Sequence, residues 1–229
     1  MMWTQNKSPQ SGFTLIELAI VLVIIGLILG AVLKGQEMIN NARAKSVVND
    51  LRGISAAYYS YYDRYKAIPG DDNTPANHLG QAAFAGNGNG VITGAYTDTA
   101  AIIATESQAF WQHTRMSGFL TGSILAATTF PSTNAMGGLL GVEGGTANVY
   151  GMIGNVVCAG SIPWRIAQAV DILLDDGNSD AGTVRTGATG AANLATAAAA
   201  SVVYGTSVAG VAAAAPASVD QLHTLCMRM

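Results

Sequence analysis

The distribution of apolar and polar positions sets one segment apart from the rest of the chain. From Phe13 to Leu33 the sequence FTLIELAIVLVIIGLILGAVL is apolar except for Thr14, Glu17 and two glycines. At about 1.5 Å of rise per residue, a helix of that length spans roughly 30 Å, the hydrocarbon thickness of a bilayer. A soluble core helix keeps a polar face, whereas this run is apolar all round, which predicts a membrane-spanning helix. Past Lys34 the pattern changes. Val47, Leu51, Ile54, Tyr58, Tyr61 and Tyr65 recur in alternating steps of four and three, forming one apolar stripe. Arg43, Lys45, Asp50, Arg52, Asp63 and Arg64 lie mostly off that stripe. Pro69-Gly70 then ends the pattern with two breakers. The two stretches join into one helix from about Phe13 to Lys66, roughly 80 Å if straight.

The remaining residues alternate in shorter units. ESQAFWQHTRMSGFL (106–120) reads as a short amphipathic helix closed near Gly118, and SIPWRIAQAVDILLDDG (161–177) as another, starting at Pro163 and stopping at Gly177. Short strands are predicted at Val91-Ile92, Asn148 to Met152, Val156 to Cys158, Thr183 to Arg185 and Ser201 to Tyr204. Strands mixed with helices predict an α+β fold, with an antiparallel sheet packed on the stripe of the long helix. Thr186 to Val219 contains no charge and is dominated by Ala, Gly, Thr, Ser and Val. With one Leu, no Ile or Phe and a proline, it inserts poorly into a membrane and reads as a low-complexity surface segment. The organisation expected is a leader (1–12), a membrane helix (13–34), an amphipathic stem (35–68) and a globular head (69–229).

Composition sharpens this picture. Half of the residues are hydrophobic, only 11% are charged, and the net charge is -3. That balance suits an exported, membrane-embedded protein and gives no electrostatic case for nucleic acid. Cys158 and Cys226 have neither CxxC nor zinc-like spacing. In an exported chain they pair most simply with each other, the alternative being two buried thiols.

Glu17 is the costly residue, because a carboxyl inside a membrane helix needs a function and a partner. The small-residue cleavage candidate Ser11-Gly12 lies before the apolar run, whereas a secretory signal peptide carries its site after it. Cutting there would leave the apolar stretch as a new N-terminus. Gly12, then Phe13, then Thr14-Leu15-Ile16-Glu17-Leu18 and unbroken aliphatics with Gly26, resembles the processing and assembly signature of the type IV pilin superfamily, including the pseudopilins of type II secretion. The resemblance is tight over residues 12–35. It implies cleavage after Gly12 by a membrane-embedded prepilin peptidase, which also N-methylates Phe13. It further implies polymerisation with identical or related subunits, and a long helix capped by an antiparallel head. Many pilins have a proline about one-third along the helix where this chain has Lys34. In a bundle, Glu17 of one subunit can meet the Phe13 amine of a neighbour, and such a pair sets register more than it adds stability. Charge counting opposes this orientation. Lys7 flanks the proposed cytoplasmic side, while Lys34, Arg43 and Lys45 lie beyond the span. The more specific motif decides it, placing the precursor in a bacterial inner membrane with its head outside the cytoplasm.

Two loops have cation-like spacing. GNGNGVITG (86–94) follows part of a calcium loop but lacks carboxylates at both key positions. DDGNSDAG (175–182) offers Asp175, Asp176, Asn178 and Asp180, whose alternate positions can converge oxygens on one calcium ion. Some pseudopilins hold calcium in head loops, although Asp/Asn/Gly clusters also serve simply as turns. His78, His113 and His223 form no HExxH or CxxCH pattern, and His113 beside Trp111 reads as packing. No enzyme is expected. The expectation is a structural subunit of a pilus or secretion pseudopilus, the alternative being a non-polymerising, single-span anchored binding protein.

Overall fold

The structure, a computed structural model, describes residues 14–99, 102–124, 131–188 and 222–229. Its internal contacts divide the chain into two compact units, Met1–Ile39 and Asn40–Met229. Helix α1, Leu15–Tyr65, begins in the first unit and ends in the second. Within the first unit every residue from Thr14 to Lys34 is exposed. No other described residue of the unit covers this apolar surface.

In the second unit α1 buries Ala44, Val47, Val48, Leu51, Ile54, Ala57, Tyr58 and Tyr61, the face drawn by the four-three periodicity; Tyr65 is half-buried. Lys66 stops the helix in the left-handed region, φ 55°, and donates its N–H to the Tyr62 carbonyl at 2.8 Å. Gly70 follows at φ 92°, where an added Cβ would strike the Glu106 carbonyl, so this turn requires glycine. Among the described residues three more helices follow: α2 (Pro75–Leu79), α3 (Glu106–Met116) and α4 (Trp164–Leu174).

The strands β1 (Ser132–Thr133), β2 (Leu139–Val149), β3 (Met152–Pro163), β4 (Val184–Ala188) and β5 (Leu222–Arg228) form one antiparallel sheet in the order β1-β2-β3-β5-β4. Successive residues of β3 face opposite sides, as the pleat requires. Val157 and Ala159 join the α1 stripe, Phe110, Trp111 and the α4 residues Ile166, Ala167 and Val170 in the main core. Val156 and Cys158 join Tyr96, Val149, Tyr150, Met152 and Cys226 in a second cluster. The architecture is therefore the expected α+β arrangement, with sheet and stem sharing one core.

Several local expectations change. Asn148 to Met152 is not one strand but the end of β2, a turn and the start of β3. Tyr150 and Gly151, at φ 49° and 78°, make the two-residue hairpin turn between them. Val91-Ile92 joins no strand; the buried Ile92 instead docks singly, its N–H on Asn155 Oδ1 at 2.8 Å and its carbonyl taking the Gly144 N–H at 2.7 Å. Ser161 and Ile162 belong to β3, so α4 starts one residue after Pro163 rather than at it. Val156 to Cys158 lies inside β3, and Thr183 to Arg185 becomes β4, one residue later. β2 and β5 carry no alternating signal. Leu225 and Cys226 on β5 enter opposite clusters, and β2 is rich in glycine. Ser201 to Tyr204 and most of segment 186–219 lie outside the described residues.

Helix α3 differs most from a simple amphipathic reading. Every residue from Glu106 to Thr114 is buried, polar ones included. Helix α3 supplies acceptors to the backbone of the segment before it: Gln112 for the Phe84 N–H at 2.9 Å, and Gln108 for the Ala104 N–H at 2.8 Å. Its polar side chains organise a covering loop rather than face water.

Candidate functional site

The first site is the start of α1. Thr14 precedes the helix and Glu17 lies three residues on. The Glu17 carboxylate accepts the Thr14 N–H and the Thr14 hydroxyl, each at 2.8 Å, and Thr14 Oγ1 accepts the Glu17 N–H at 3.3 Å. This reciprocal pair is a capping box, which satisfies donors that a helix start leaves open and places an acid at the positive end of the dipole. Glu17 therefore has a partner within its own chain. The threonine-x-x-glutamate spacing ahead of an apolar run was the signal for it. Gly12 and Phe13 lie outside the described residues.

Beyond Glu17 the surface of this segment is uniformly apolar, with Leu15 88% exposed, Leu22 69% and Leu27 71%. Among the described residues α1 is the one helix long and apolar enough to cross a membrane. Lys34 and Glu37 pair at 2.7 Å at its far end, both exposed, an arrangement worth little in stability.

The GNGNGVITG loop works opposite to a cation site. Its amides, not its oxygens, converge: Gly88 N–H and Asn89 N–H reach Asp71 Oδ1 at 2.7 and 3.2 Å, and Gly90 N–H reaches Oδ2 at 2.6 Å. The Asn87 and Asn89 side-chain oxygens each accept the N–H two residues on, at 3.0 and 2.9 Å, which holds the local turn. Glu106 takes the Asn87 N–H at 2.9 Å, with the Thr93 N–H and hydroxyl at 2.8 and 2.7 Å. The loop is a nest of donors around two internal carboxylates. Burial pushes the Asp71 carboxyl above the usual carboxylate range, against the lowering effect of the Gly90 and Gly88 amides.

Asp72, next in the chain, faces the other way. Oδ2 accepts the Tyr61 hydroxyl at 2.7 Å and His78 Nδ1–H at 2.6 Å, while Oδ1 accepts the Thr74 N–H at 2.9 Å. Burial raises its pKa, but the His78, Tyr61 and Thr74 donors together outweigh that, leaving it lowered. The tyrosines fill this junction: Tyr61 lies 4.7 Å from Tyr65 and 5.9 Å from His113, centroid to centroid. His113 Nδ1 accepts the Gly70 N–H at 2.9 Å and Nε2 donates to the Phe84 carbonyl at 2.7 Å, so the ring packs and bridges loop to helix. Burial holds its pKa below the ordinary value.

At DDGNSDAG, Asp175 and Asp176 come together with Asp171 of α4, ligand atoms within 4.8 Å of one another, and Asp180 is not among these carboxylates. Asp175 Oδ2 accepts the Thr183 N–H and, at 3.2 Å, the Val184 N–H. Asp176 Oδ1 accepts the Asn178 N–H at 2.9 Å, a local turn. Burial alone would raise Asp175, but the amides of Thr183 and Val184 leave its carboxyl lowered. The sequence reading missed Asp171, which lies one helical turn before Asp175.

Cys158 and Cys226 form a disulfide between β3 and β5, where they are paired in register with Cα atoms 4.0 Å apart. No curated protein matches the chain. Residues 7–33 match the family described as the prokaryotic N-terminal methylation motif. That stretch takes in the start of the exposed apolar helix with its capped glutamate: this chain carries the N-terminal methylation motif, the prepilin-type signal of type IV pilins and pseudopilins.

Proposed function

We propose that this protein is a structural subunit of a type IV pilus or pseudopilus-like filament, made as an inner-membrane precursor. A prepilin peptidase cleaves it after Gly12 and methylates the new Phe13 amine. The subunit is held by a membrane helix over residues 13–34, continues through a stem to residue 68, and carries the head of 69–229 outside the cytoplasm. The observation carrying this reading is the exposed apolar surface of α1 from Leu15 to Leu33, joined to a motif that marks a substrate of processing.

That surface has two stable environments, lipid tails and the apolar sides of neighbouring helices. Transfer from the first to the second gains little from hydrophobicity alone, so packing and polar pairing must direct it. Glu17 supplies the direction. Before assembly its carboxylate is satisfied by Thr14. On assembly the Phe13 amine of an adjacent subunit competes for the same oxygen and fixes axial register.

Glu17→Ala tests this. The variant should be cleaved and methylated normally yet yield no sedimentable filaments. Filaments formed at wild-type yield would overturn the assembly role and favour a non-polymerising membrane anchor.

A further inference from the structure

The GNGNG stretch, whose amides rather than oxygens converge, carries the chain's two Asn-Gly pairs, Asn87-Gly88 and Asn89-Gly90. All four residues are exposed. Asparagine is a thermolabile residue, and most so before glycine, where a backbone nitrogen beside no Cβ can reach the side-chain carbonyl carbon. We propose that Asn89, and more slowly Asn87, is a site of spontaneous deamidation to aspartate and isoaspartate, and that Asp71 sets the rate by holding the attacking amide.

In the step, the Gly90 nitrogen gives its proton to solvent base and bonds to Asn89 Cγ. The bond from Cγ to the side-chain nitrogen breaks, and that nitrogen takes up a proton and leaves as ammonia. Water then opens the five-membered imide at either carbonyl. The net change is one water consumed and one ammonia released, with no oxidation, and the loop gains a negative charge. The structure offers the electrophile and withholds the nucleophile. Asn87 Oδ1 accepts the Asn89 N–H and Asn89 Oδ1 accepts the Val91 N–H, which draws electron density from each Cγ. The Gly90 N–H, however, donates to Asp71 Oδ2 at 2.6 Å and the Gly88 N–H to Oδ1 at 2.7 Å. Deprotonating an amide held by a carboxylate sets two negative charges side by side, so the loop must open locally before the nitrogen reacts.

The two pairs are guarded unequally. The Gly88 N–H also reaches the Asp71 backbone carbonyl at 3.0 Å, a partner that no side-chain substitution removes. The Asn87 N–H is tied in addition to Glu106 Oε1 at 2.9 Å. The Gly90 N–H has the carboxylate as its described partner. Freeing Gly90 breaks one bond and freeing Gly88 breaks two, which makes Asn89 the faster site. This inference stands apart from the filament reading.

The test incubates the full chain in detergent micelles in mildly alkaline buffer, with and without urea sufficient to unfold the head. Peptide mass spectrometry reads conversion at each asparagine, and isoaspartyl methyltransferase labelling reads the isoaspartate formed. Asn89 should convert faster than Asn87 in the folded protein, and both about tenfold or more slower than in urea, a factor within the strength of a hydrogen bond to a charged group. Asp71→Asn should speed Asn89 about fivefold or more and leave Asn87 within about twofold of wild type, because Gly88 keeps the backbone carbonyl. General loosening of the loop would speed both sites together. Equal rates with and without urea overturn the proposal without any variant. So does Asp71→Asn, shown to be folded by the fluorescence of the buried Trp111, if it speeds both sites alike or neither.

Discussion

Replacing Asp71 with alanine removes an acceptor shared by three successive amides. The losses are unequal. Gly88 N–H also reaches the Asp71 carbonyl at 3.0 Å, and Asn89 N–H also reaches Asn87 Oδ1 at 3.0 Å, so both retain a partner. Gly90 N–H depends on Asp71 Oδ2 at 2.6 Å. A hydrogen bond to a charged group contributes about 1.5–3 kcal/mol. Water can replace part of it at this exposed glycine, and alanine removes a buried carboxylate whose pKa burial has raised. The net cost is then about 1–2 kcal/mol, or a fall in urea midpoint of about 0.5–1 M at an m-value near 2 kcal/mol/M. Asp71→Asn keeps an oxygen for Gly88 and Asn89 and should lose about half as much. Trp111, 1% exposed on α3, reports head unfolding by fluorescence, and hydrogen exchange reports the loop amides. Exchange at Gly90 should accelerate more than at Gly88 or Asn89. If Asp71→Ala left both the midpoint and the Gly90 exchange rate unchanged, the loop would not be held by this carboxylate.

Two other perturbations probe the head. Removing both cysteines opens a link between residues 68 positions apart, which the chain-entropy relation values at about 4 kcal/mol; urea denaturation should show a loss on that scale, and a loss under about 1 kcal/mol would contradict it. Asp72 has a lowered folded pKa, so it binds its proton less readily folded than unfolded. Its contribution to stability is present above the unfolded carboxylate value near 4 and is lost as pH falls through the folded value. Asp72→Asn should therefore flatten the acid limb of the stability–pH curve, and an unchanged limb would assign that dependence elsewhere.

The parts of this molecule legible in sequence are those governed by local periodicity. The stripe from Val47 to Tyr61 matched the buried face of α1 because a helix facing one core repeats its apolar positions at fixed steps. Strands β2 and β5 were not legible because residues on both faces are buried, and glycines such as Gly141 allow the Tyr96 carbonyl to approach closely. The loop chemistry inverted for a related reason. Alternating Asn and Gly in GNGNG fits converging oxygens or converging amides equally well, and only the position of Asp71 decides between them. Asp171 escaped notice because it lies inside an apparently amphipathic helix, yet it is fully buried beside the following turn. At the N-terminus, by contrast, an unbroken apolar run with one acid at a fixed distance from a glycine is visible without any tertiary context.

The proposal that this chain becomes a filament subunit depends first on how its N-terminus is made. Intact-mass and N-terminal fragment analysis of the protein from membranes tests that step directly. The expected species starts at Phe13, lacks residues 1–12 and carries one methyl group on the Phe13 nitrogen. A chain that keeps its leader, or one cut beyond Leu33 so that the apolar helix is lost, would contradict the account.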